Sequence, residues 1–145
     1  MTAHLLDVNV LVALLWPAHE DHQKVQNWFA RHAKYGWATC PFTQAAVVRI
    51  LSHPAFSRDA VSPQQAAEVL RANLEHHAHQ FWSDNIGFVE AIEPVRKRLT
   101  GHQQVTDAYL LGLALHRKGK LATLDRAILA LLPEGGRDAG PVVLV

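Results

Sequence analysis

The chain has 145 residues, with 14 lysines and arginines against 13 aspartates and glutamates. That length suits one domain, residues 1–145, with a single sizeable core. The near-neutral balance excludes a polybasic nucleic-acid tail, so any contact with nucleic acid must come from a local patch. A single cysteine, Cys40, excludes an internal disulfide and points to a reducing, cytoplasmic setting. The apolar run from Leu5 to Leu15 is broken by Asp7 and Asn9. It lacks a basic flank and a cleavage site, and it is far short of a membrane span.

In chain order, His4 to Val8 reads as a buried strand, and Val25, Trp28, Phe29 and His32 share one helical face. Trp37 to Cys40 is a second strand, after which Thr43 can cap a helix whose inner face is Ala46, Val47, Ile50 and Leu51. Ser62-Pro63-Gln64-Gln65 combines an N-cap, a first-turn proline and a capping-box glutamine. Ala66, Val69, Leu70, Asn73, Leu74 and His77 follow at helical spacing. Phe81-Trp82 reads as a short strand, and Pro94 divides the stretch from Phe88 to Leu99. Gln104 to Lys118 predicts a helix ended by Gly119. Leu121 to Leu124 is a further strand, and Ala127 to Leu132 a short helix stopped by Pro133 and Gly135. Val142 to Val145 is a last strand after a Gly-Pro break. Strands alternating with helices predict an α/β fold, a central parallel sheet flanked by helices on both faces.

Three aspartates stand where apolar elements begin or end. Asp7 closes the first strand, Asp125 closes Leu121 to Leu124, and Asp107 lies in the first turn of the long helix, on the face of Leu110, Leu111 and Ala114. Each has an ordinary structural reading: Asp125 as an N-cap, Asp107 as a first-turn acid favoured by the helix dipole. Asp7 has the weakest such excuse, because a carboxylate beside a core strand is costly unless paired, hydrogen-bonded or bound to a cation. Parallel strands bring Asp7 and Asp125 to one sheet edge, where ligands collect in open α/β sheets. Three converging acids repel one another unless protons or a divalent cation neutralise them. Hard oxygen ligands favour Mg²⁺ or Mn²⁺ over Zn²⁺.

Leu5-Leu6-Asp7-Val8-Asn9-Val10-Leu11, Val105-Thr106-Asp107-Ala108-Tyr109-Leu110 and Leu121-Ala122-Thr123-Leu124-Asp125-Arg126 resemble, in that order, the acid motifs of PIN-domain ribonucleases, in particular the VapC-type toxins of bacterial toxin–antitoxin pairs. The resemblance covers nearly the whole chain. It implies a Rossmann-like sheet and a Mg²⁺-dependent endoribonuclease that commonly forms a homodimer and is held inactive by a cognate antitoxin protein. One position departs from the pattern. Gln44, in Phe42-Thr43-Gln44-Ala45-Ala46-Val47-Val48-Arg49, stands where the family usually has a glutamate. Its amide oxygen can bind a metal or a metal-bound water, but it carries no charge and is no base.

The expected mechanism follows from the acids, with Asp7, Asp107 and Asp125 as catalytic metal ligands that orient a water against the scissile phosphate. Asn9 is placed to orient Asp7, Thr106 to hydrogen-bond a ligand or cap its helix, and Arg126 to contact RNA phosphate or form a surface salt bridge. Arg96-Lys97-Arg98 and Arg117-Lys118-Gly119-Lys120 are the basic runs suited to phosphate contact. His19-Glu20-Asp21-His22 reads as a helix start, His76, His77 and His79 as a helix end, and Trp16, Trp28, Trp37 and Trp82 as core or interface residues. Two other readings compete. A degenerate PIN domain can serve as an antitoxin- or RNA-binding module. A haloacid-dehalogenase-like phosphatase also begins with a strand ending in aspartate, but wants a second aspartate where this chain has Asn9.

Overall fold

The computed structural model describes residues 2–133 and 140–145; Gly135, expected to help stop a helix, lies outside them. Five short strands, β1 (His4–Leu6), β2 (Trp37–Thr39), β3 (His79–Phe81), β4 (Lys120–Thr123) and β5 (Val142–Leu144), form one sheet. Their order is β3-β2-β1-β4-β5 and every pairing is parallel. The helices are α1 (Val8–Leu15), α2 (His22–His32), α3 (Pro41–Leu51), α4 (Pro63–Leu74), α5 (Phe88–Ala91) and α6 (Val105–His116). Among the described residues no helix is long and apolar enough to cross a membrane.

Alternation along the strands divides the core in two. Leu5, Ala38 and Leu121 face a cluster that includes Ala91, Leu110, Leu111 and Ala114 from α5 and α6. Leu6, Trp37 and Ala122 face the opposite cluster, built from Val10, Leu11, Val25, Val47 and Leu70 of α1 to α4. Helices thus cover both faces, as the uninterrupted apolar strands require. Burying each such leucine or valine contributes roughly 1.5–3 kcal/mol. The α5 and α6 packing depends on Gly112, because a Cβ there would lie 2.0 Å from the carbonyl oxygen of Ala91.

Several boundaries differ from the sequence reading. β1 stops at Leu6, and the Val8 N–H bonds to the Asp7 carboxylate at 2.7 Å, so a helix begins where the strand was expected to end. Cys40, not Thr43, is the N-cap of α3; Thr43 sits three residues in, its hydroxyl oxygen accepting from the Cys40 N–H at 3.0 Å. β3 starts at His79, ahead of the Phe81-Trp82 pair, because the chain leaves α4 early enough for His79 to pair with Trp37. The segment after Asp125 is 3-10 from Arg126 to Leu131 rather than α. At the end of α6 the left-handed residue is Lys118 (φ 58°). Gly119 serves close approach instead: a Cβ would meet the Trp82 ring at 2.5 Å. The Ser62 capping box is formed as expected, with reciprocal bonds to Gln65 of 3.1 and 2.9 Å.

Candidate active site

The sheet reverses its winding between β1 and β4, and this crevice at the carboxyl ends of the strands is where open α/β sheets place their ligands. Asp7 follows β1 there and is only 6% exposed. Its Oδ1 accepts from the Val8 N–H at 2.7 Å and its Oδ2 from the Thr123 hydroxyl at 2.8 Å. Burial raises its pKa; these two hydrogen bonds oppose the shift and the charge of Asp125 adds to it. Asp107, half-buried in the first turn of α6, is pushed up to about 6 by burial first, then by Asp7 and Asp125. Asp125 is exposed and caps the 3-10 turn that follows it, Oδ1 accepting from the Ala127 N–H at 2.9 Å. Asp125 therefore caps its own turn, and its charge also acts on Asp7 and Asp107.

Thr123 is the residue that sequence reasoning missed. Its single hydroxyl proton goes to Asp7, while its oxygen accepts from the Asn9 side-chain amide at 3.2 Å and from the Asp125 N–H at 3.0 Å. Asn9 in turn accepts the Leu124 N–H at 3.0 Å. Asn9 therefore orients Asp7 through Thr123 and not directly, and one knot ties β1, α1 and the end of β4. The available signal was a threonine in an otherwise apolar strand, two residues before the acid.

The remaining candidates are less central. Thr106 and Arg126 are exposed. The Gln44 amide donates to the Thr39 hydroxyl oxygen at 2.9 Å, and that oxygen also lies 2.8 Å from His79 Nε2. Alternation puts Thr39 on the face of Leu6 and Trp37, the opposite side of the sheet from Leu5 and Asp7. Gln44 makes no hydrogen bond to any of the three acids. Of the basic runs, Arg96 pairs with Glu93 at 3.3 Å and Arg117 holds the oxygens of Ser83 at 3.1 and 3.2 Å. His19 and His22 bond to the Asp21 N–H and the Ala13 carbonyl, as local turn and helix-start contacts. Trp28, Trp37 and Trp82 are core residues, and Trp16 packs on Phe56 with ring centroids 5.6 Å apart.

A divalent cation fits this donor set in one manner. Among the described residues no three His, Cys, Asp or Glu side chains close around an ion by themselves. The acids supply only hard oxygens, and their mutual repulsion, visible in the raised pKa of Asp107, is what a bound cation relieves. Such a partial cradle suits an ion that keeps several of its waters.

A parallel sheet with an acid cluster at its carboxyl edge defines a class, and the model of the PIN domain matches residues 4–131. Ribonuclease VapC38 of Mycobacterium tuberculosis is 39% identical over 141 residues, spanning 97% of this chain and 96% of that one. Ribonuclease VapC39 of the same species is 40% identical over 128 residues, spanning 88% and 91%. Among solved structures, VapBC2 from Rickettsia felis, bound to a DNA fragment from its promoter, superposes with a TM-score of 0.65 over 99% of this chain and 98% of that one, at 13% identity. The chain belongs to the PIN-domain family, among its VapC ribonucleases.

Proposed function

We propose that the protein is the endoribonuclease toxin of a bacterial toxin–antitoxin pair, cleaving RNA with a Mg²⁺ or Mn²⁺ ion bound at Asp7, Asp107 and Asp125. What supports this reading is the match to the VapC ribonucleases together with the charge of Asp125 acting on Asp7, and that of both on Asp107, beside the carboxyl edge of the sheet. When bound, the cation lowers the pKa of a water and neutralises charge developing on the scissile phosphate. The rest is done by the chain. Thr123 and the Val8 N–H fix both Asp7 oxygens in one orientation, and Asn9 fixes Thr123. Asp107 and Asp125 complete the charge, directly or through water, and Arg126 is placed to meet a phosphate.

The cleft suits an antitoxin segment that supplies an arginine or lysine to the acids, and the Rickettsia felis relative is itself solved as VapBC2. A homodimer in the cytoplasm completes the proposal. Purified protein incubated with total RNA should cut it only with Mg²⁺ or Mn²⁺, and Asp7→Asn should not cut. Co-expression with a neighbouring small gene should relieve toxicity and yield a stable complex. Gln44, turned to Thr39, favours the second reading of a weak PIN domain kept as a binding module. RNA binding without metal-dependent cleavage would select it.

A further inference from the structure

Beside the acids lies an aromatic ledge that the metal chemistry leaves unused. Leu5 pairs with Ala38, and Asp7 and Cys40 are each the first residue beyond their neighbouring parallel strands, capping α1 and α3 at the same edge of the sheet. Phe42, two residues on in the first turn of α3, is 50% exposed. Its ring centroid lies 5.4 Å from that of Tyr109, and the Phe88 ring lies 6.3 Å from Tyr109, tilted only 10° from parallel. Phe88, at the start of α5, is 40% exposed. Tyr109 is buried and its hydroxyl donates to the Ile86 carbonyl at 3.0 Å, so it is a fixed wall. Asp107 lies in the first turn of the same helix, on a different side of it from Tyr109.

We propose that Phe42 and Phe88, set at an angle to each other by their tilts of 46° and 10° to Tyr109, line a stacking site for an unpaired RNA base beside the acids. This rests on the nuclease reading above. The chain is almost neutral, and Arg96 and Arg117 are engaged within the protein. With so little net charge, long-range attraction of RNA is weak and local contacts must supplement it, whereas aromatic stacking of single-stranded bases does not depend on net charge. A second copy of the chain fits the ledge less well. At 150–250 Å² per aromatic side chain, the exposed part of the two rings is roughly 180 Å², against about 800 Å² per partner in a standard interface. Phenyl faces offer no hydrogen bonds, so the platform selects unpaired RNA over paired RNA rather than one base over another.

The test is a single-stranded RNA oligonucleotide carrying 2-aminopurine, titrated with Ca²⁺ in place of Mg²⁺, with the RNA checked on a gel to be intact. Wild type should quench the fluorescence on binding. Phe42→Leu/Phe88→Leu keeps apolar bulk but loses the flat faces; it should abolish the quench and weaken binding about 5- to 150-fold, the range for one stacked base, with melting temperature held near wild type. Phe42→Trp should retain both. If the double variant melts early, Phe42→Leu alone is read in the same way. Unchanged quench and affinity in the leucine variants overturn the platform while metal-dependent cleavage leaves the nuclease reading standing. So does a dimer, seen by sedimentation, that the leucine variants dissociate without change in RNA binding. A wild-type protein that neither binds nor cuts RNA overturns both.

Discussion

Asp7 and Thr123 stand 116 positions apart in the chain and share a buried hydrogen bond of 2.8 Å, the threonine donating. The direction is forced, because both acceptor sites of the hydroxyl are filled by N–H groups of Asn9 and Asp125. Asp7 is therefore held with one oxygen permanently accepting, which opposes the burial that raises its pKa.

Thr123→Val keeps the shape and removes the hydroxyl. Cleavage should fall at least tenfold, and the acid limb of the pH–rate profile should move to higher pH as Asp7 loses a bond that favours its charged form. Stability should drop by about 1–3 kcal/mol, because two N–H donors lose their acceptor. Thr123→Ser should recover most of both; a valine variant with an unmoved pH profile would show that the hydroxyl does not act on Asp7.

Asp7→Asn should abolish cleavage and leave the fold intact. Asparagine still caps α1, and removing a buried charge relieves repulsion on Asp107. Asparagine offers one oxygen where the Val8 N–H and the Thr123 hydroxyl use two, which offsets part of that relief, so without metal the melting temperature should stay near wild type. Circular dichroism and a melt on the purified variant check this.

The acids also set the pH dependence of the metal-free protein. Asp107 titrates near 6 when folded against 3.8 as a free side chain. The folded state therefore binds more protons than the unfolded one between those values. This contribution to stability is full below pH 4 and is lost as pH rises through 6. Asp107→Asn should flatten that slope in melts from pH 4 to 7, and a slope unchanged by the substitution would remove Asp107 from the cluster.

Mg²⁺ or Mn²⁺ should raise the melting temperature by an amount growing as RT ln(1 + [M]/Kd). The gain should be greatest above pH 6, where the acids are charged, and should vanish in Asp7→Asn. Melts that are flat up to tens of millimolar metal, a range suited to weak carboxylate sites, would reduce the three acids to caps.

Gln44→Glu should not simply add a fourth ligand. A carboxylate cannot donate to Thr39, so the Thr39 hydroxyl must turn its proton to the new carboxylate and can then offer His79 Nε2 only a lone pair. His79, whose pKa burial lowers, then gains from being protonated. Its pKa should rise, as read by NMR titration of the imidazole, and the variant should lose stability at alkaline pH.

The alternation of strands and helices, and the apolar runs that belong in a doubly covered sheet, were legible in the sequence because periodicity reports burial directly. Asp7, Asp107 and Asp125 were legible because charge beside core segments demands a reason. Thr123 was not, since a β-branched residue in a strand is ordinary and its partner Asp7 is remote in sequence. The partner of Gln44 was hidden for a related reason: its position in α3 is readable, but the side chain's bond to Thr39 is a tertiary matter. The start of α1 at Val8 was hidden by an apolar run that suits strand and helix alike. The Asp7 cap alone marks the change.

The knot at Thr123 also has a consequence for how the protein comes into being. Asp7 is synthesised well before Asp107, Thr123 and Asp125, and β1 can pair with β4 only once Lys120 to Thr123 exist. A nascent or prematurely terminated chain holds its first acid with nothing to orient it. If the proposed site is right, fragments that end before β4 should be inactive, so the cell that makes the protein is not exposed to them.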